Sequence, residues 1–417
     1  MKVRYYDNYE EYIEFQSIKT LDPEKRKKWL GEEWRLKIDG FKNEFAKISS
    51  FLTKEKKCLC IGARTGQEVI ALREMGVESV VGIDIVENLP HVVKGDMHNL
   101  DFGNETFDFV YTNILDHSIY PEKLFSEVER VLKFDGIFHL QIQLGLDQDK
   151  YTEYIVKNPF YDVVSLAKKS YCIGINQFNR NFAGMNFEFF FQKDASLWEL
   201  YEKYGDFKDI ELPDSYKNLW DEINLLIQIK KLDENNIVSE KKRKQILSNL
   251  RKRAYYLTRI AEVHNFKNIA EVGTAEGWQY YSFAEYCSKV GGIVYSCDPR
   301  DVRSKKHKSL YSDFENYTQG TSKDMSDVID KKIELFYIDG LHDKGTVVSD
   351  VINLSKNQNE SCVWIFDDFD ERFGCYSDIA NLAASSKKFK IWEVGLTASG
   401  KPSHQLMTKC RYIIDES

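Results

Sequence analysis

Cys58-Leu-Cys-Ile-Gly-Ala-Arg-Thr-Gly66 is a short apolar run that breaks into a glycine turn, and Ile269-Ala-Glu-Val-Gly-Thr-Ala-Glu-Gly277 repeats the design in the other half of the chain. Both turns space their glycines as G-x-x-x-G. Behind each lies a helix-compatible stretch, 67–75 and 278–288, and then a second apolar run closing on an acid, Val80-Val-Gly-Ile-Asp84 and Ile293-Val-Tyr-Ser-Cys-Asp298. Short apolar runs without alternation mark strands buried on both faces of a parallel sheet, and strand-helix alternation builds that sheet. The pattern predicts an α/β fold with two doubly wound domains in tandem.

Working outward, 417 residues leave room for two domains with their own cores. Residues 214–262 read as helix, with Leu219, Ile223 and Leu226, then Ile246, Leu250, Ala254, Leu257 and Ala261 at three- and four-residue steps, and Ser239 as an N-cap. The boundary is expected near 214, giving domains 1–213 and 214–417, the second opening on this helical segment. Basic residues Lys241-Lys-Arg-Lys244 and Arg251-Lys-Arg253 read as a solvated helix face, with a phosphate-bearing substrate as the alternative. The aromatic stretch 176–191 is expected to supply the last antiparallel strands of the first sheet.

Composition narrows the function. Lys+Arg of 58 against Asp+Glu of 66 gives a net charge of -8, which builds no positive field for nucleic acid. The 8 cysteines form no C-x-x-C pair, and Cys58 and Cys60 read as buried strand positions rather than metal ligands. No stretch reaches the roughly 20 apolar residues of a membrane span, and the charged N-terminus does not resemble a signal peptide, so no membrane span and a cytoplasmic location are expected.

A glycine turn at the carboxyl end of a parallel strand lets the backbone approach a nucleotide, and an acid ending the next strand can accept both ribose hydroxyls. Neither turn is the G-x-G-x-x-G of dinucleotide enzymes. With Gly82-Ile-Asp84, Lys94-Gly-Asp-Met-His-Asn-Leu100, Phe107-Asp-Phe-Val-Tyr111 and Leu124 through Gly136, the first half resembles the class I S-adenosylmethionine-dependent methyltransferases, which have a Rossmann-like fold. The resemblance implies that Gly62 and Gly66 line the methionine end of the cofactor, that Asp84 takes the ribose and that Asp96 meets the adenine amino group. Arg64, where relatives carry a small residue, either pairs with the methionine carboxylate or narrows the pocket.

The second half, with Tyr295-Ser-Cys-Asp-Pro299, Phe336-Tyr-Ile-Asp-Gly-Leu-His-Asp343 and Val363-Trp-Ile-Phe-Asp-Asp-Phe369, resembles the metal-dependent macrolide and aminocoumarin sugar O-methyltransferases and their cephalosporin hydroxylase-like relatives. That resemblance implies cofactor contacts from Glu271, Gly273, Gly277, Asp298 and Ser322, and magnesium or another divalent cation on Asp339, Asp367 and Asp368. The residues agree: three carboxylates at the ends of two apolar strands repel one another unless a cation intervenes, and carboxylate oxygens suit Mg²⁺. His342 is the expected general base, with Asp343 as fallback; in the first half, where no acid pair follows the strand, His117 after Asp116 is the base of a metal-independent site. The function expected is a bifunctional O-methyltransferase for hydroxyls of a carbohydrate or glycosylated metabolite. The alternative is a catalytic C-terminal domain beside a degenerate binding module. Nucleic acid is not an expected partner, and a homo-oligomer is left open.

Overall fold

The computed structural model describes residues 4–145, 150–205, 210–213, 240–303, 308, 311–385, 390–394 and 404–410. The chain divides into two compact units, Met1–Leu197 and Trp198–Ser417. The boundary expected near 214, the positions Leu219, Ile223 and Leu226, and Ser239 lie outside the described residues.

The first unit opens with three helices that periodicity did not announce, α1 (Tyr9–Leu21), α2 (Pro23–Leu30) and α3 (Trp34–Ala46). Then come β1 (Lys57–Ile61), α4 (Gln67–Glu74), β2 (Ser79–Asp84), β3 (Val92–Lys94), β4 (Phe107–Thr112), α5 (Pro121–Val131), β5 (Leu132–Ile142), β6 (Ser170–Gln177) and β7 (Phe187–Lys193). Its strands lie in the order β3-β2-β1-β4-β5-β7-β6. β7 runs antiparallel to β5 and β6, so the aromatic stretch does supply the closing hairpin. Cys58 and Cys60 are buried in β1. α3 packs Phe41 and Phe45 on this sheet, with the Phe45 ring edge-on to Tyr111 at 5.0 Å.

The described part of the second unit runs α6 (Glu240–Val263), β8 (Asn268–Val272), α7 (Trp278–Val290), β9 (Ile293–Asp298), β10 (Glu315–Gln319), α8 (Ser322–Val328), β11 (Ile333–Ile338), α9 (Thr346–Leu354), β12 (Gln358–Phe369), α10 (Cys375–Ser385), β13 (Lys390–Val394) and β14 (His404–Cys410). Its order, β10-β9-β8-β11-β12-β14-β13, is the first unit's order repeated strand for strand. Ala254, Leu257 and Ala261 bury the expected face of α6. In both sheets the order reverses beside the first strand, so a crevice opens at the carboxyl ends between the first and fourth strands, where doubly wound sheets bind ligands.

Candidate active sites

The two glycine turns are the same object built twice. Gly62, Arg64 and Gly66 have φ of 74, 48 and 93°, and Gly273, Ala275 and Gly277 have 92, 43 and 89°. Each turn is pinned to the second strand: Gly62 N–H donates to the Ile83 carbonyl and Gly273 N–H to the Cys297 carbonyl, both at 2.9 Å. The strand-end acids close the loop. Asp84 accepts from the Arg64 and Val86 amides at 3.1 Å each, and Asp298 accepts from Ala275 at 3.0 Å and Arg300 at 2.9 Å. Burial holds the Asp84 carboxyl above its usual pKa. At Gly273 a Cβ would overlap the Asp339 carbonyl, whereas at Gly62 it would meet the Ile114 side chain, at Cδ1 and both γ carbons.

In the first unit, Gly62, Arg64, Asp84, Gly95, Met97 and His117 line a cavity of about 520 Å³. A polar cavity of about 820 Å³ adjoins it, and Lys19, Gly62, Arg64, Ile114 and His117 belong to both. Glu68 lines the polar cavity with one carboxylate oxygen buried and unpartnered, and burial raises its pKa to about 7. Arg64 lays its guanidinium over the Trp29 ring, 4.4 Å from the centroid. Asp96 lines neither cavity; both its oxygens accept from the Tyr9 hydroxyl at 2.8 Å. Gly66 also stands back, serving as the left-handed residue before α4.

The second unit offers a larger cavity, about 1540 Å³, lined by Gly273, Asp298, Ser322 and Asp339 among others. Glu271 does not line it: the carboxyl is buried, accepts from Ser296 Oγ at 2.8 Å, and is pushed by burial up to about 8. Gly277 sits behind it as the left-handed residue before α7.

At the ends of β11 and β12 the acids separate into two groups. Among the described residues, Asp339, His342 and Asp368 each aim one donor atom within 4.8 Å of the others, a set that fits a divalent cation. His342 Nε2 lies 2.6 Å from Asp368 Oδ2, and this bond is the main cause of its raised pKa. Asp367 is not in this group. It is nearly buried, takes a short bond from Arg253, and accepts from the Tyr337 hydroxyl at 2.8 Å. Arg253 also reaches Asp339 at 3.5 Å. Burial opposes the guanidinium charge, but Asp367, Tyr337, Asp339 and Asp368 outweigh it and the pKa rises. Asp343 is exposed and outside the cluster.

Arg253 is therefore a correction: the reading of its run as a solvated face fails at this residue. The signal was present, since 253 follows Leu250 by three and precedes Leu257 by four, on the apolar stripe of α6. No comparable signal marked Lys19, because the buried positions of α1 are Tyr12, Gln16 and Thr20, which make no apolar stripe.

The comparisons agree with the repeat. A model described as a methyltransferase domain matches residues 59–140, and a second so described matches 270–369. The chain carries two methyltransferase domains in tandem, and the activity supported is S-adenosylmethionine-dependent methyl transfer. Similar solved structures include a protein from Pyrococcus horikoshii OT3 (19% identity, 39% of this chain and 92% of that one, TM-score 0.32). Others are a SAM-dependent methyltransferase from Methanosarcina mazei (17%, 36% and 97%, 0.30) and a candidate caffeoyl-CoA O-methyltransferase from Staphylococcus aureus (15%, 48% and 100%, 0.33). No curated protein matches the chain.

Proposed function

We propose that the protein transfers methyl groups from S-adenosylmethionine to hydroxyls of a carbohydrate or glycosylated metabolite, with one site in each unit and a divalent cation assisting the second. The two units are further proposed to be separable domains, with the seam between Leu197 and residue 214. The observation that carries the reading is the placement of Asp339. It lines the same cavity as Gly273 and Asp298, and it is also one corner of the three-donor cluster.

In the second unit, Asp298 takes the ribose hydroxyls and the Gly273 turn admits the cofactor's methionine end. Asp339 and Asp368 would hold the cation with His342 beside them, while Asp367 is committed to Arg253 and Tyr337. A bound divalent cation lowers the pKa of a coordinated hydroxyl and fixes its direction. His342 Nε2, beside these carboxylates, would take the acceptor proton as general base, leaving Asp339 and Asp368 as the cation's ligands. The oxygen then attacks the sulfonium methyl in line.

The test uses the full chain with Asp84→Ala, which removes the ribose acceptor of the first unit. Transfer from S-adenosylmethionine to a panel of methyl glycosides is followed with and without EDTA. EDTA should abolish the remaining transfer, and Asp339→Asn should do the same while cofactor affinity at the second site stays within about threefold. Transfer that survives both changes removes the cation from the reading.

A further inference from the structure

Among the described residues the first unit has no acid pair at the ends of its fourth and fifth strands, yet its cavity holds a base and a cation in contact. His117 Nδ1 lies 2.9 Å from the Tyr151 carbonyl, and its Nε2 lies 3.2 Å from Lys19 Nζ. A carbonyl only accepts, so Nδ1 carries the proton; an ammonium only donates, so Nε2 presents its lone pair. These contacts aim Nδ1 at the carbonyl and Nε2 at Lys19, with Asp116 Oδ2 3.8 Å from the same Nε2. Both residues line the cofactor-side cavity and the polar cavity, at the place where the two merge.

Lys19 arrives on α1, and α1 is docked by polar bonds made beside this site. Tyr12 donates to the His117 carbonyl at 3.0 Å, Gln16 donates to the Tyr151 carbonyl at 3.0 Å and to Glu153 at 3.1 Å, and Tyr9 holds Asp96. The Tyr151 carbonyl that sets the imidazole tautomer is thus the one Gln16 binds. The ammonium of Lys19 also sits over the Tyr151 ring, 5.4 Å from its centroid. The helix therefore brings the cation, and the segment that orients the base anchors the helix.

We propose that Lys19 and His117 form a metal-free methyl-transfer site in the first unit, acting on a hydroxyl of a polyhydroxylated acceptor seated in the polar cavity. This rests on the reading above that the first unit binds S-adenosylmethionine. The acceptor hydroxyl replaces the direct Lys19–His117 contact: its oxygen accepts from Lys19 Nζ and its proton points at His117 Nε2. As the O–H bond breaks and the proton moves to Nε2, the oxygen forms its bond to the methyl carbon. The carbon–sulfur bond breaks, with the pair staying on sulfur as S-adenosylhomocysteine forms. Lys19 holds the charge that builds on the oxygen, the task the second unit gives to a cation held by carboxylates. The rest of the polar cavity suits several hydroxyls at once, with Glu68, Asn113 and Gln143 as acceptors and Lys37 as a donor.

The experiment uses the full chain with Asp298→Ala to disable the second site, in excess EDTA, with methyl glycosides and glycosyl phosphates as acceptors. Chelator-resistant formation of S-adenosylhomocysteine that depends on an acceptor is expected. His117→Gln should lower kcat by about 10²- to 10⁴-fold, and Lys19→Met by about 10²-fold or more. Cofactor Kd should stay within about threefold in both, and Lys19→Arg should recover part of the Lys19→Met loss. Hydrogen exchange across α1 in Lys19→Met separates chemistry from docking: protection should match the parent. Absence of chelator-resistant transfer to every acceptor, with cofactor still bound at the first site, overturns the proposal. So does a Lys19→Met defect confined to KM or accompanied by loss of α1 protection. Loss of cofactor binding in the Asp298→Ala parent itself instead overturns the reading on which the proposal rests.

Discussion

The two units share a strand order, a glycine turn with matching left-handed positions and a strand-end acid held by matching amides, yet they part company just beyond the cofactor crevice. In the second unit, Asp339 and Asp368 at the ends of β11 and β12 cluster with His342, and a largely covered arginine from α6 reaches both Asp339 and Asp367. In the first, the matching strand ends leave a histidine facing a lysine from α1. The backbone that binds the shared ligand is duplicated closely, while the groups that would meet the acceptor are drawn from different elements with different charge. On the proposed reading, function would diverge on a fixed scaffold through segments ahead of the first strand, α1 in one unit and α6 in the other.

The largest expected effect tests whether the two turns are equally tight. Gly273→Ala puts a methyl into the Asp339 carbonyl at a left-handed position, so backbone must move and two loops shift together. Calorimetry should lose the second cofactor site altogether and keep the first. Gly62→Ala runs into the Ile114 side chain, at Cδ1 and both γ carbons, rather than into backbone, and should weaken the first site by about tenfold, at the ~1–3 kcal/mol scale of a strained residue. Equal losses in the two variants would show that strain at the turn, and not the neighbour, decides.

How much of this was legible in the sequence follows from what each feature depends on. The turns, the strand-end acids and the duplicated strands are local: they need only a run of apolar residues, two glycines and an acid in order, so both turns and the strands around them could be read to within a few residues. The structure groups Asp368, and not Asp367, with Asp339 and His342, a division hidden in the sequence because Asp367 and Asp368 are adjacent and carry the same chemistry. What separates them is strand geometry, which turns one inward to Tyr337 and Arg253 while its neighbour, at φ 53°, faces His342. Sequence order carries no such orientation. The pairing of Lys19 with His117 was invisible for a second reason, since it joins positions on elements remote in the chain through a helix whose buried face is polar.

A smaller effect asks whether Arg253 is structural or tunes the acids. Arg253→Met leaves Asp367 nearly buried without its guanidinium partner, and breaking one partner of such a pair costs about 3–5 kcal/mol. Thermal unfolding of the second unit should move down accordingly, while the first unit's transition and cofactor affinity hold. Adding Asp367→Leu should recover much of the loss, because the pair is then replaced and not halved. If the single change leaves the midpoint unmoved, the arginine is dispensable to the fold and its place among the acids is electrostatic tuning alone.

The smallest effect sits where the two adenine ends differ. In the second unit Ser322 opens α8 and lines the cavity, so an adenine meets it directly. In the first, the corresponding acid, Asp96, has both oxygens on the Tyr9 hydroxyl and stays out of the cavity. An incoming adenine amino group would have to share that carboxylate with α1. Tyr9→Phe removes the competing donor and keeps the ring that stacks on Tyr120, at a net cost on the order of 1 kcal/mol for the hydrogen bond itself. Freed of the hydroxyl, Asp96 keeps the His98 N–H on Oδ1 at 2.8 Å and has Oδ2 to offer the ligand, so first-site affinity for S-adenosylhomocysteine should tighten by about two- to fivefold with the second site unchanged. No change, or weaker binding, would mean that adenine does not reach Asp96 and that the carboxylate serves only to dock α1; the difference between the units would then extend from the acceptor end of the crevice to the adenine end.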